Sequence, residues 1–255
     1  MPATPATPTV HLRQAYAKGV TTLTIDRPDK RNAITGAMYT ALAEAFEAAD
    51  ADAAVHVIVL TGGPTLFTAG NDLADFLDRP PTTEEAPGYR FMQALSGCRK
   101  PVVAAVCGPA IGIGTTLLLH CDLVYVAADA RLSTPFVPLG LVAEFASSLL
   151  MPLRLGHAQA AEWLLQARTF SGTEAAAQGL ANAALPAADV LPTAQAAAAR
   201  LAALPPGALQ DTKALMRRPT QAAVREALLA EAVLFAQRLQ SAEAKAAFGA
   251  FLSKG

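Results

Sequence analysis

Two short apolar runs, Val55-His56-Val57-Ile58-Val59-Leu60 and Pro101-Val102-Val103-Ala104-Ala105-Val106, each lead into a turn rich in glycine, and the second turn opens a helix reaching Leu119. Runs of this length and β-branched content, bounded by Gly and Pro, read as buried strands. Val20–Ile25 alternates like a strand with one face exposed, and Leu123–Ala127 returns as another. Between them, about Thr35 to Ala51 reads as a helix with Thr35 as its N-cap. Such alternation of strand and helix predicts an α/β chain with parallel strands and crossover helices. From Glu144 onward the pattern is mostly helical, punctuated by Gly172 and Gly179. Ala208 to Leu252 reads as two or three alanine-rich helices without a strand. At 255 residues the chain is long enough for one sizeable core with an appendage. The expected division is a flexible leader over 1–15, a core domain over 16–200 and a C-terminal helical region over 201–255.

Composition excludes several function classes. A net charge of −1, with basic residues scattered, offers no footprint for nucleic acid or an anionic membrane. Cys98, Cys107 and Cys121 form no CxxC pair and leave an odd count, as expected of reduced thiols in a cytoplasmic protein. The start, Met1 to Pro8, has neither the basic nor the apolar region of a signal peptide, and no apolar run reaches the length of a membrane span. Hydrophobic residues outnumber charged ones by 53% to 16%, which points to surface hidden in an oligomer. The Pro-, Thr- and Glu-rich stretch Asp78–Gly88 is the loosest internal segment.

Chemistry concentrates in two stretches, Phe67-Thr68-Ala69-Gly70-Asn71-Asp72-Leu73 and Gly108-Pro109-Ala110-Ile111-Gly112-Ile113-Gly114. Gly70 and Gly112 let the backbone approach a ligand, leaving the amides of Asn71 and Ile113 free to hold a developing oxyanion. Each such donor is typically worth about 3–4 kcal/mol. The same glycines also read as plain tight turns. Nucleotide and hydrolase readings fail, because the second stretch lacks the last glycine of GxGxxG and neither GxxxxGK[ST] nor GxSxG occurs. Downstream, Glu144 stands alone where two carboxylates might be expected. One carboxylate can move a proton between two carbons, whereas adding water across a double bond is easier with two.

These stretches, with Asp26-Arg27-Pro28-Asp29-Lys30-Arg31-Asn32-Ala33, Lys100 to Gly114 and Cys121-Asp122-Leu123, resemble the crotonase (enoyl-CoA hydratase/isomerase) superfamily over roughly Val20 to Leu252. The resemblance implies a ClpP/crotonase-like spiral of ββα units with a C-terminal helical trimerisation region, assembled as a homotrimer or hexamer. It implies an acyl-CoA substrate whose thioester carbonyl lies between the amides of Asn71 and Ile113. Coenzyme A would be part of the substrate, with no separate cofactor and no metal. Thr68, Ala69, Gly70, Asn71, Asp72 and Leu73 would line the thioester and pantetheine beside Gly112 and Ile113. Lys30, Lys213 and Arg217 are candidates to meet the CoA phosphates, and Lys30 reads equally as a solvated loop lysine.

Departures from the family pattern narrow the chemistry. The two glutamates of its hydratases match Thr116 and Phe136 here, and a phenylalanine transfers no proton. Glu144 instead matches the glutamate of peroxisomal-type Δ3,Δ2-enoyl-CoA isomerases, and a similar acidic position occurs in the oxepin/ring-type enoyl isomerases of aromatic degradation. The expectation is an isomerase with Glu144 as proton shuttle. A hydratase or oxepin-type isomerase on the same scaffold, and a non-catalytic acyl-CoA binder, stand as alternatives. Glu144 also reads as a plain helix-start acid. Placed in the first turn of a helix it would favour its charged form, while apolar Phe136, Val142 and Phe145 would favour the neutral one, and the second effect is expected to win. His120 reads as a helix-end core residue.

Overall fold

The computed structural model describes residues 11–78 and 86–252. Nine strands are present among them: β1 (Leu12–Ala17), β2 (Val20–Ile25), β3 (Val57–Thr61), β4 (Val102–Val106), β5 (Ala110–Ile111), β6 (Leu123–Ala127), β7 (Arg131–Ser133), β8 (Phe170–Ser171) and β9 (Ala183–Leu185). They form a six-stranded sheet of order β1-β2-β3-β4-β6-β9 and a three-stranded sheet of order β5-β7-β8. β1 and β2 pair antiparallel through a two-residue turn, Lys18-Gly19, with both φ angles positive (49° and 81°) as a tight hairpin requires. In the six-stranded sheet every pairing from β2 to β9 is parallel, while in the smaller sheet β5 and β7 pair parallel and β7 and β8 antiparallel. β3 and β4, in the middle, are buried at every position, whereas β2 alternates, which is why the sequence shows unbroken apolar runs in one case and alternation in the other.

The helices are α1 (Gly36–Ala51), α2 (Leu73–Asp78), α3 (Pro87–Gly97), α4 (Ile113–Thr116), α5 (Ser147–Leu155), α6 (His157–Leu165), α7 (Gly172–Ala177), α8 (Ala187–Ala202), α9 (Pro206–Arg217), α10 (Gln221–Leu239) and α11 (Ala242–Leu252). Thr35 caps α1, its side chain accepting from the Met38 amide. α1 packs on α3, and α8 lies across β3, β4 and β6.

Three expectations change. The strand β1 takes up residues 12–15 of the segment expected to be a leader, because Leu12 to Ala17 pair in full register with β2; residues 1–10 lie outside the described residues. The region after Glu144 is not purely helical, since β8 and β9 complete the two sheets at their edges. Strands of two and three residues carry too little pattern to be read in advance. Residues 79–85 of the loose Asp78–Gly88 stretch are outside the described residues, while Pro87 and Gly88 begin α3.

A main core of buried apolar side chains fills the space between sheet and helices. A second, smaller cluster joins Phe136 and Leu141 to Phe235 and Leu239 of α10 and Ala244 and Phe248 of α11, with Leu73, Phe76 and Val142 against it. The last two helices thus fold back over the loops that hold Asn71 and Glu144.

Candidate active site

The motif from Asp26 to Ala33 is a clasp. Asn32, at φ 55°, accepts from the Arg27 amide (2.7 Å) and donates through its side chain to the carbonyls of Gly62 (2.9 Å) and Phe67 (3.0 Å). The Arg27 guanidinium reaches Ala33 O at 2.9 Å and the Asp72 carboxylate at 2.6 Å. The other Asp72 oxygen accepts from the amides of Ala74 and Asp75, starting α2. Thr68 is fully buried, donating to Asn32 O and accepting from Gly70 N. Asp72 and Thr68 therefore turn their polar atoms into the protein and shape the loop that they occupy. Lys30 stands on the exposed 3₁₀ turn Pro28–Lys30.

The two glycine stretches are pressed together behind this clasp. Gly70 has φ +86°, and a Cβ there would stand 2.7 Å from the Ile111 carbonyl oxygen, so no other residue fits. An isolated parallel bridge joins Ile34 to Asn71: Ile34 N donates to Gly70 O and Asp72 N donates to Ile34 O. In that geometry the amide of Asn71, lying between the two bonds, points away from Ile34. Gly112, at φ +59°, sends its amide to Ser133 O and delivers the chain into α4, whose first residue, Ile113, has no intrahelical acceptor for its amide. Among the described residues neither the Asn71 nor the Ile113 amide donates a hydrogen bond within the chain.

Glu144 does not stand in the first turn of a helix. It precedes α5 by three residues, in a turn where Phe145 (φ 61°) and Ala146 (φ 54°) are both left-handed. The helix-terminus effect expected to favour its charge is displaced accordingly. Glu144 is buried at 6% exposure, and its Oε1 has no hydrogen-bond partner. Burial, with the nearby Glu231 carboxylate second, pushes its pKa from an ordinary 4.5 up to about 8. Tyr39 of α1 is fixed to the first glycine stretch: its phenol donates to Asn71 Oδ1, and burial, then the charge of Glu144, raise its pKa well above its usual range. Phe136 lies on the other side, its ring 3.8 Å from where a Cβ on Gly112 would stand. The Thr116 hydroxyl is turned to Ile113 O within its own helix.

His120 acts as a clamp on the turn. Its ring stacks on Phe145 at 4.1 Å, and Nε2 donates to Phe145 O at 2.7 Å. Burial drives its pKa down to about 3, so it stays neutral. The C-terminal cations are engaged elsewhere. Lys213 is buried against Asp122 (2.7 Å) and Lys100 O (2.6 Å), while Arg217 reaches His120 O (2.6 Å), Ser96 O (3.1 Å) and Asp122 (3.2 Å). Lys213 is therefore withdrawn from the phosphate-binding role expected of it, because its ammonium is needed inside. A cleft of about 480 Å³ borders His120, Arg154, Arg217 and Arg225, and none of the residues named for the acyl group lines it. Among the described residues no group of three or more His, Cys, Asp or Glu side chains is placed to hold a metal ion.

Tyr39 and Glu231 were not legible in the sequence. Tyr39 reads as one more apolar position of α1, and Glu231 as a surface acid in an alanine-rich helix; long-range packing alone brings them here.

Residues 15–255 match the enoyl-CoA hydratase/isomerase family. The chain is 36% identical over 206 residues to enoyl-CoA delta isomerase 2 of Rattus norvegicus, covering 78% of this chain and 52% of that protein, so it spans about half the length of that relative. It is 30% identical over 233 residues to a probable enoyl-CoA hydratase of Mycobacterium leprae, covering 91% of each. Among solved structures, Pseudomonas aeruginosa OdaA is 52% identical and superposes with a TM-score of 0.93 over 95% of this chain and 98% of that one.

Proposed function

This chain belongs to the enoyl-CoA hydratase/isomerase family and has its crotonase-type α/β fold, and from that premise we propose that it is an acyl-CoA double-bond isomerase converting Δ3- to Δ2-enoyl thioesters. The observation that carries this reading is the buried Glu144, with its raised pKa and an oxygen that no donor reaches, while the two positions that match the hydratase glutamates are Thr116 and Phe136 and carry no acid. The carboxylate of Glu144 takes a proton from C2 of the 3-enoyl thioester. The C–H pair moves into the C1–C2 bond and charge collects on the thioester oxygen, where the amides of Asn71 and Ile113 would hold it. The neutral carboxyl of Glu144 then returns the proton to C4, and the double bond settles between C2 and C3. Nothing is consumed, and one group serves as base and conjugate acid. A pKa near the working pH suits both halves.

Hydration is the activity named for the mycobacterial relative. It is disfavoured here because the Thr116 hydroxyl is spent within α4 and Phe136 transfers no proton.

The test is turnover of trans-3-hexenoyl-CoA and of crotonyl-CoA by the wild type and Glu144→Gln. The expected result is isomerisation that falls by about 10²–10⁴-fold in the variant, with acyl-CoA binding retained. Because the carboxylate is the active form, wild-type kcat/KM should rise about tenfold per pH unit below 8 and level off above it. Undiminished turnover in Glu144→Gln would remove that residue from the mechanism. Tight acyl-CoA binding with no turnover of either substrate would favour a non-catalytic binder.

A further inference from the structure

The turn that presents Glu144 has no capping side chain of its own. Its N-cap position for α5 is Ala146, which has nothing to accept the free amides of the first turn, and two successive left-handed residues put strain on the order of 1–2 kcal/mol into each. The missing acceptor comes from a distant helix. Glu231 of α10 is 6% exposed; its Oε2 accepts from Ala146 N at 2.6 Å, and its Oε1 accepts from Ser148 N at 2.9 Å and from the Ser148 hydroxyl. Three donors converge on one buried carboxylate: burial raises its pKa above the ordinary value, and the three hydrogen bonds work against that rise in favour of the charged form. Glu144, by contrast, has a buried oxygen with no donor at all.

We propose that Glu231 is the positioning residue of this site: its carboxylate closes the 144–148 turn that presents Glu144 and brings a second carboxyl to that turn. The proposal rests on the reading of Glu144 as the acid/base group. Two buried carboxyls sharing a locale separate into one that is charged and anchored and one that is poised, and the donor count decides which is which. Other ionisable groups around the pair do not supply the effect. Tyr39, from α1, is a neutral phenol committed to Asn71. His120 is neutral and committed to Phe145 O. Arg154, on α5, donates to Leu119 O, and Arg238, on α10, to Gly140 O and Glu243. After burial, Glu231 is the neighbour that raises Glu144.

Two substitutions separate shape from charge. Glu231→Gln keeps the size and one acceptor but removes the charge; Glu231→Asp keeps the charge but shortens the reach to the turn. Carbon-13 NMR of the side-chain carboxyls, with Glu144→Gln to assign the resonance, reads the titration of Glu144 without turnover. The expected result is a midpoint that drops by about one pH unit in Glu231→Gln and stays raised in Glu231→Asp. The rising limb of kcat/KM should shift to lower pH in the Gln variant while its plateau falls several-fold. In the Asp variant the plateau should fall with the limb in place. If Glu231→Gln does not fold, Glu231→Asp carries the test: turnover should fall while the Glu144 midpoint stays raised. A Glu144 midpoint that does not move in Glu231→Gln, or undiminished turnover in Glu231→Asp, would overturn the proposal. Turnover that survives Glu144→Gln would instead overturn the reading of Glu144, and the NMR shift would report that failure separately.

Discussion

A carboxylic acid buried without a donor for one of its oxygens holds its proton more tightly in the folded chain than in the unfolded one. For Glu144 the folded value of about 8 lies above the ordinary 4.5, so between those two values folding binds a proton and stability falls as pH rises. His120 works in the opposite direction. Its folded value of about 3 lies below the ordinary 6.5, so the unfolded chain binds the extra proton between those limits and stability rises with pH. From pH 4.5 to 6.5 the two effects oppose each other; from 6.5 to 8 only the glutamate effect of this pair acts. Thermal or urea unfolding should therefore show the wild type losing about 2 kcal/mol between pH 6.5 and 8. Glu144→Gln should abolish that decline and be the more stable protein at pH 8. Equal slopes in the two proteins would mean that Glu144 titrates near its ordinary value. Glu144 was legible as a candidate because the family resemblance matched it to the glutamate of the isomerases. The size of its perturbation was not, since it depends first on burial in the folded chain and then on Glu231, 85 residues from Ala146 in the sequence.

Elements place the backbone donors. The stretch from Thr68 to Leu73 is held by the Asp26–Ala33 clasp on one side and by the Ile111–Gly112 turn on the other. Its geometry depends on Gly70, where a side chain would collide with backbone rather than with a flexible neighbour. Gly70→Ala should destabilise the chain by about 1–3 kcal/mol. It should also cut isomerase kcat/KM by about 10²–10³-fold through displacement of the Asn71 amide. Melting curves and turnover read the two effects separately, and a stable variant with full turnover would exclude that amide from the reaction. The sequence announced the strand, turn and helix alternation here because each element carries its own local signal. It was silent on β8 and β9, whose two and three residues become strands only because a sheet edge is waiting for them.

At the scale of the whole molecule, α9 and α10 have more apolar surface than the core uses. Leu228, Phe235 and Leu239 of α10 are buried, yet Leu229, Val233 and Leu234 on the same helix are exposed, as are Leu215 (64%) and Met216 (76%) of α9. A helix apolar on both faces calls for a second partner. We propose that this outer face joins copies of the chain, as the resemblance to crotonases implies. Sedimentation should give three or six times the 26.3 kDa chain mass, and Leu215→Glu with Met216→Glu should shift the distribution toward monomer. A wild type that sediments as a monomer would end that proposal. Among the described residues no helix is long and apolar enough to cross a membrane. What the sequence by itself determined is local: which runs are strands, where glycine must stand, and which acid lies near the turns. Periodicity, β-branching and positive-φ demands act over a few residues and leave their mark on the chain. Only the tertiary structure decided which distant groups meet: the return of α10 and α11 over the site, Tyr39 on Asn71, and Glu231 on the 144–148 turn. Contacts between residues far apart in sequence leave no periodic trace, so burial and charge at the site emerge only when the chain is folded.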